Sequence, residues 1–457
     1  MESMHLTRRS FLRLSAGLSA GAFLAACTPA TAPQGSAGSG GSVAAAPVEL
    51  SFDMYNFDPW LKALDAMFAA YMKENPNVKV KVESAPWEEF WSRQEARLAA
   101  GNPSDLSIGD PGYFGRYAHK GYYQNLEPLV ESAALNLDDW FPVTVNDSRY
   151  DKSTGIVGQG ELFGLPATYV GLVLYYNKDM FDAAGLAYPD ETWTRDKLTE
   201  AAIALTKDSA GKSSGDPDFN ADDITQWGIT HNLDYGLAVH TWNNGGELIS
   251  ADQTKCLMTE PAVVEVFDWF DKLLHEHHAN PTPAQLQGLP NPLQVGKVAM
   301  SMDGSWNLDY YVDNLEFNWD VAPVPLGNKG LDRVTYAGTN TIHMFKDSAH
   351  PDEAWKLLQY MAGPGGMEYF AKTGTPSLKA AANSDAYLTG KPEHRAEAVN
   401  VGNYGRSYYP GLKSDSWKQI YIAEREAMLI GQTDAATMLQ SVCEKITPIL
   451  ETPVDQL

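Results

Sequence analysis

Two runs of alternating apolar residues, bridged by a helical repeat, restrict this chain more than any other feature. Val48, Leu50, Phe52 and Met54 recur at every second position, as do Val78, Val80 and Val82 with Lys79 and Lys81 between them. Leu61, Leu64, Phe68, Tyr71 and Met72 fall between the two runs at helical spacing, and Asn75-Pro76 ends that repeat. Strands joined through a helix of this length pair in parallel, with a right-handed crossover. A second helix over roughly 88–100 and a strand at Leu106 and Ile108, ending at Asp110, extend the unit. The fold class is therefore α/β, and such sheets place ligands at the carboxyl ends of their strands. A strand over 170–176 opens a second unit. Pro261 starts a helix with Val263, Val266, Phe267, Phe270 and Leu274 on one face, and Pro351 starts another that Gly363-Pro364 closes. Helices over about 417–430 and 435–449 end the chain.

The start of the chain carries different information. Thr7-Arg8-Arg9-Ser10-Phe11-Leu12-Arg13 resembles a twin-arginine export signal, and Leu24-Ala25-Ala26-Cys27 resembles a bacterial lipobox. Together they predict loss of residues 1–26 and acylation of Cys27. The apolar stretch Leu14 to Ala26 is shorter than the roughly 20 residues of a spanning helix, so the membrane is reached by a lipid anchor only. Residues 28–47 are almost wholly Ala, Gly, Ser, Thr and Pro and read as a flexible linker following the lipidated cysteine.

About 410 residues remain from position 48, more than one core usually accommodates, so two domains are expected. The net charge is −24, and without residues 1–26 it becomes −26, with 31 basic against 57 acidic residues. That balance argues against nucleic acid and against an anionic bilayer as the ligand, and suits a neutral one. Cys256 and Cys443 are the cysteines left after Cys27; their spacing leaves open a disulfide or two reduced, buried thiols.

Phe163-Gly164-Leu165-Pro166, Leu174-Tyr175-Tyr176-Asn177-Lys178-Asp179-Met180-Phe181, Ala184-Gly185-Leu186 and Thr192-Trp193 follow one another in an order with a meaning. Asn244-Gly245-Gly246-Glu247, Gly296-Lys297-Val298-Ala299-Met300, Gly304-Ser305-Trp306, Val321-Ala322-Pro323-Val324-Pro325 and Pro351-Asp352-Glu353-Ala354-Trp355-Lys356 continue it. In that order they resemble the family 1 extracellular solute-binding proteins, the receptors of carbohydrate-importing ABC transporters. The resemblance covers nearly everything after residue 48. It implies a type II-like periplasmic-binding-protein fold, with two α/β lobes joined by three hinge crossings around a cleft. The crossings are expected near 166–171, 321–325 and 363–376, giving lobes of residues 48–167 with 323–362 and 168–322 with 363–457. It also implies a monomer without cofactor or enzymatic activity, which delivers a sugar to two permease subunits driven by a cytoplasmic ATPase.

A sugar presents apolar C–H faces and hydroxyls, so its site needs aromatic platforms and charged or amide hydrogen-bonding groups. The chain has 12 Trp and 22 Tyr. Tyr55 and Asn56 follow the first strand, at the expected cleft edge, or else pack as a loop on their own lobe. Trp87 begins the second helix, while Trp91 reads as core. Asp110 and Tyr113 close the third strand, although Asp before Pro-Gly is also ordinary turn chemistry. Tyr169 lies in the first hinge. Trp242 and Asn243 precede Asn244-Gly245-Gly246. Trp306, after Gly-Ser, is the leading platform by resemblance, with a buried Trp beside a Gly turn as its alternative. Tyr336 and Gly338 lie where the resemblance lets backbone approach the ligand. Tyr404 and Arg406 offer a stack and a bidentate donor, or in Arg406 a plain surface charge.

Asp216, Asp218, Asn220 and Asp222 have the spacing that opens a calcium loop. Ala221 stands where the loop glycine belongs and Trp227 at its twelfth position, so no metal is expected to be required. His-Glu-x-x-His and phosphate-loop motifs are missing. Three alternatives stay open: a receptor for a glycerol phosphodiester or other non-sugar solute, a secreted hydrolase with paired carboxylates, and a sugar sensor.

Overall fold

The computed structural model describes residues 47–456. The export motif, Cys27 and residues 28–46 lie outside the described residues.

The alternating runs form β1 (Val48–Tyr55) and β2 (Val78–Ala85), paired in parallel through their whole length. Between them runs α1 (Asp58–Glu74), with Pro59 in its first turn and Trp60, Leu64, Met67, Phe68 and Tyr71 buried against the sheet. After α2 (Trp87–Ala99), β3 (Leu106–Gly109) adds in parallel on the other side of β1. Asp110 ends β3 and caps α3 (Pro111–His119).

The organising element is β4 (Gly164–Asn177), 14 residues long and buried at every position but Val170. Beyond it lie β5 (Ile224–His231), β6 (Val298–Gly304), β7 (Trp319–Ala322) and β8 (Thr335–Met344). The sheet runs β2-β1-β3-β8-β4-β6-β5. The first half of β4 pairs antiparallel with β8, and β8 pairs with β3. The second half of β4 pairs antiparallel with β6 and β7, and β6 is parallel to β5. One strand thus belongs to two lobes. Where they meet, Gly171 has no room for a side chain: an added Cβ would lie 2.3 Å from both the Tyr336 carbonyl oxygen and Val401 Cγ1.

Two large apolar cores flank that point. The first gathers Leu50, Phe52, Leu64, Leu106 and Leu165 with Met344, Leu357 and Met361. The second gathers Leu172, Leu174 and Phe181, then Val263, Phe267 and Phe270 of α4 (Pro261–His275). It continues with Trp417 of α5 (Ser414–Leu429) and Met438, Val442 and Ile446 of α6 (Ala435–Glu451). A third, smaller cluster around Tyr169, Tyr175, Tyr311 and Val401 lies along β4.

The exchange between cores falls after Tyr336 and again at the end of residues 363–376. Val324 and Tyr336 pack with the second core, and Met367 and Phe370 with the first, where Phe370 meets Trp60 at 4.7 Å between ring centroids. The return is made at Thr375–Pro376, which pairs with Thr168 and Tyr169 of β4. Cys256 and Cys443 form a disulfide, with Cα atoms 5.4 Å apart, tying the segment before α4 to α6. No described helix is long and apolar enough to cross a membrane.

Candidate ligand-binding site between the lobes

A cavity of about 290 Å³ opens between the two cores. From the first lobe it takes Asp110 and Asp147, from β8 it takes Tyr336 and Gly338, and from the second lobe Tyr235, Tyr408 and one face of α5.

Asp110 is placed by the end of β3, where the strand gives way to a helix. Its side chain accepts from the Gly112 N–H at 2.8 Å, satisfying one of the free donors of the first turn. Burial pushes its carboxyl up to about 6; the Gly112 N–H opposes that rise, Asp415 adds to it and Lys418 opposes it. Asp147 follows the short helix Pro142–Asn146 and is almost fully buried. Thr339 Oγ1 donates to its Oδ2 at 2.8 Å and Ser407 Oγ donates to its Oδ1. Burial pushes this carboxyl, too, up to about 6 against those hydroxyl donors.

The apolar wall is built of tyrosines. Tyr235 and Tyr336 stack with centroids 3.8 Å apart and planes 5° from parallel. Tyr408 meets Tyr235 edge-on at 5.5 Å. Gly338 is required by this arrangement, because a Cβ there would lie 2.2 Å from the Tyr336 hydroxyl oxygen. Asp415, Lys418 and Ile422 recur at helical spacing along α5 and close the far side. Lys418 donates to the Tyr408 carbonyl at 2.6 Å and stands 4.5 Å over the Tyr408 ring. Burial draws its ammonium down to about 8, opposed by Asp415 and Asp110.

A second groove of about 700 Å³ runs beside the cavity, between Phe57, Pro59 and Lys62 of the first lobe and Trp306 and Tyr310 of the second. Trp306 and Tyr235 touch edge-on at 6.3 Å, joining the walls of the two spaces. Three of the large exposed apolar side chains, Phe57, Trp306 and Tyr310, face this groove, and Ile422 faces the cavity.

Of the residues singled out in the sequence, Asp110, Tyr336 and Gly338 line the cavity and Trp306 lines the groove. Tyr55, Trp87 and Tyr113 form an aromatic cluster of their own. Tyr55 and Trp87 meet at 4.8 Å, and Tyr113 lies flat on the buried Trp91 at 3.7 Å. Asn56 is exposed and is held by its backbone N–H to the Ala85 carbonyl. The others line neither space. Tyr169 is buried and donates to the Val399 carbonyl at 2.6 Å. Trp242 is buried, its Nε1 donating to the Tyr409 hydroxyl. Asn243 is buried and clamps Val334, donating to its carbonyl and accepting from its N–H. Arg406 does make a bidentate contact, but to Glu247 at 2.7 and 3.0 Å, with its guanidinium 4.4 Å over the Trp242 ring. Tyr404 is half-buried, away from the cavity wall, and its hydroxyl takes no partner among the described residues.

The sequence reading missed Asp147, Tyr235, Ser407, Tyr408, Asp415 and Lys418. The doublet Tyr408-Tyr409 and a lysine directly after Trp417 were the available signals. Two of the oxygen ligands at 216–222 are spent on turns: Asp216 accepts from the Ser213 N–H and hydroxyl, and Asn220 from the Asp222 N–H. Among the described residues, one trio of ligand-type side chains converges: Asp320, Glu393 and His394. There the Lys178 ammonium already supplies positive charge, 3.9 Å from Asp320 and 3.6 Å from Glu393.

Residues 56–368 match the family model of the bacterial extracellular solute-binding proteins. A binding protein of Brucella abortus is 26% identical over 298 residues, 64% of this chain and 66% of that protein, so the match spans just under two thirds of that relative's length. The maltodextrin-binding protein MdxE of Bacillus subtilis is 24% identical over 366 residues, 79% of this chain and 78% of its own. Among solved structures, an ABC substrate-binding protein of Listeria monocytogenes in complex with cycloalternan superposes with a TM-score of 0.73. That superposition has 22% identity and covers 88% of this chain and 98% of the other. Maltose-bound MalE3 of T. maritima gives 0.70 at 17% identity, over 88% and 100%. The fold is the two-lobed one of these binding proteins, and the chain belongs to the bacterial extracellular solute-binding protein family.

Proposed function

We propose that this protein is the substrate-binding subunit of a carbohydrate importer and captures a sugar between its lobes. The observation that carries this reading is the cavity wall itself. A stacked tyrosine pair, Tyr235 and Tyr336, stands beside Asp110, Asp147 and Lys418, so that flat apolar faces and charged hydrogen-bonding groups converge. Hydrogen bonds to charged groups contribute about 1.5–3 kcal/mol, roughly twice the neutral value. The exposed aromatics of the neighbouring groove extend the apolar track past Trp306, which suits a ligand of more than one ring. Relatives named for maltodextrin and structures holding maltose or cycloalternan support the same class.

In this reading a sugar held by one lobe gains contacts with the other only on closure, so binding shifts the population toward the closed form. Moving such an equilibrium from 1:99 to 99:1 takes about 5.5 kcal/mol of differential affinity, within reach of two charged contacts and an aromatic platform. The closed protein then hands its sugar to two permease subunits driven by a cytoplasmic ATPase. Cleavage after residue 26 and acylation of Cys27 tether it, as a monomer, to the outer face of the cytoplasmic membrane.

A thermal-shift screen of the full chain against mono-, di- and oligosaccharides, glycerol phosphodiesters and peptides tests the reading. Ligand at a hundred times its Kd raises stability by about 2.7 kcal/mol. The expected result is a saturable shift with one sugar class, reduced in Tyr235→Ala and without product. Shifts confined to phosphodiesters or peptides would overturn the sugar assignment. Sugar hydrolysis would overturn the receptor reading, since two buried carboxyls in one cavity are also what a hydrolase uses.

A further inference from the structure

Four carboxylates face the interlobe cavity, and they are not alike. Asp415 pairs with Arg116 at 3.1 Å and Asp234 with Arg425 at 3.8 Å. Asp110 and Asp147 have no such partner among the described residues. Asp110 takes one hydrogen bond from the Gly112 N–H, and its other oxygen receives none from the described residues. Asp147 is met by two hydroxyls, one on each oxygen, which do not balance its charge. The remaining cation of the wall, Lys418, donates to the Tyr408 carbonyl and acts on Asp110 and Asp415 through space, without an ion pair to either. With Arg116, Arg425 and Lys418 all counted, the wall still holds one more negative charge than positive.

We infer that the preferred ligand of this cavity carries an amine, as an amino sugar or an oligosaccharide containing one, and that its ammonium pairs with Asp110 and Asp147. The inference rests on the sugar-receptor reading and narrows it. A hydroxyl donates one hydrogen bond and leaves the carboxylates uncompensated; an ammonium donates three and supplies the missing charge. A buried carboxylate without a countercharge is costly, so a ligand that brings one gains more from this wall than a neutral ring of the same shape. The tyrosine faces favour the same choice, because a ring face attracts a cation as well as a C–H surface. The raised pKa of both carboxyls has the same origin in burial without a paired cation.

Matched pairs that differ by one group test this in the full chain. Glucosamine with glucose, galactosamine with galactose, mannosamine with mannose, and the β-1,4 trimers of glucosamine and glucose are titrated calorimetrically at pH 7.5. The expected result is an amine member binding roughly tenfold tighter than its neutral partner, the margin of one charge-assisted bond over a neutral one. Asp110→Asn, which keeps the helix cap, removes that preference; Asp147→Asn is the second variant should the first not fold. Equal or tighter binding of the neutral members, or a preference unchanged in the variant, would overturn the inference while leaving the sugar reading in place. Binding by no member of any pair would overturn the inference, and the sugar reading would then be decided by the thermal-shift screen alone.

Discussion

Replacing Asp147 with Asn removes a titrating group and leaves its shape, which makes the electrostatics of the cavity measurable without a ligand. In the folded protein burial raises this carboxyl from 3.8 to about 6. A carboxyl raised in this way holds its proton more tightly folded than unfolded. Its stabilisation is therefore fullest below the unfolded value and is lost as pH rises from about 4 to about 6. Two units correspond to about 3 kcal/mol in total, of which about 2 kcal/mol falls between pH 4.5 and 7.5. The buried His231 and His343, drawn down to about 4 by burial, act in the opposite sense, because the unfolded chain takes up their protons first on acidification. The wild-type curve alone mixes both effects; the difference between wild type and Asp147→Asn isolates one. For the 410 described residues an unfolding entropy near 0.9 kcal/mol/K turns about 2 kcal/mol into roughly 2 °C. Calorimetric melting at pH 4.5, 5.5, 6.5 and 7.5 should show the variant gaining on wild type by that amount and levelling off above pH 6.5. Parallel curves, or a variant losing ground as pH rises, would refute the claim that Asp147 sits uncompensated in the cavity.

Other consequences can be checked separately. Tyr235→Ala removes the platform stacked on Tyr336 and should weaken sugar binding about tenfold to a hundredfold in calorimetric titration, while Trp306→Ala should weaken oligosaccharides more than single rings. Cys256→Ser opens a disulfide across 187 residues, a loss of up to about 5 kcal/mol by chain entropy, visible as a lowered denaturation midpoint with affinity retained below it. Asn243→Ala leaves the Val334 N–H and carbonyl without their partner and should cost about 2–4 kcal/mol in denaturant unfolding, with little change in ligand affinity.

The parallel β1-α1-β2 unit was legible because its two periodicities, two and 3.6, are local and uninterrupted. Asp110 was legible for a related reason: the end of a strand before Pro-Gly fixes both a helix cap and a place at the sheet's carboxyl edge. Tyr169, Trp242 and Asn243 were not separable from true cleft residues, because an aromatic or amide beside a hinge has the same sequence signature whether it faces the cavity or the core. The structure sends Tyr169 to the Val399 carbonyl and Trp242 to the Tyr409 hydroxyl. Arg406 shows the same limit for charge: its fork is bidentate as expected, yet its partner Glu247 is 159 residues away in sequence. Lys418 and Asp415 were hidden by distance too. They lie on a C-terminal helix whose apolar stripe is visible, while the lobe its polar face meets is set by tertiary packing alone. Which core receives Val324 or Met367 is set by tertiary packing in the same way, since neither residue carries a mark of it in the sequence.

The central claim is that a sugar binds in the interlobe cavity against Tyr235, Tyr336 and Asp110. A crystal structure of the protein with the sugar that most raises its melting temperature tests it most directly. The expected result is a ring packed on the tyrosine pair, with a polar group of the ligand within hydrogen-bonding distance of Asp110 and Asp147. A sugar seated elsewhere, with this cavity filled only by water, would contradict it.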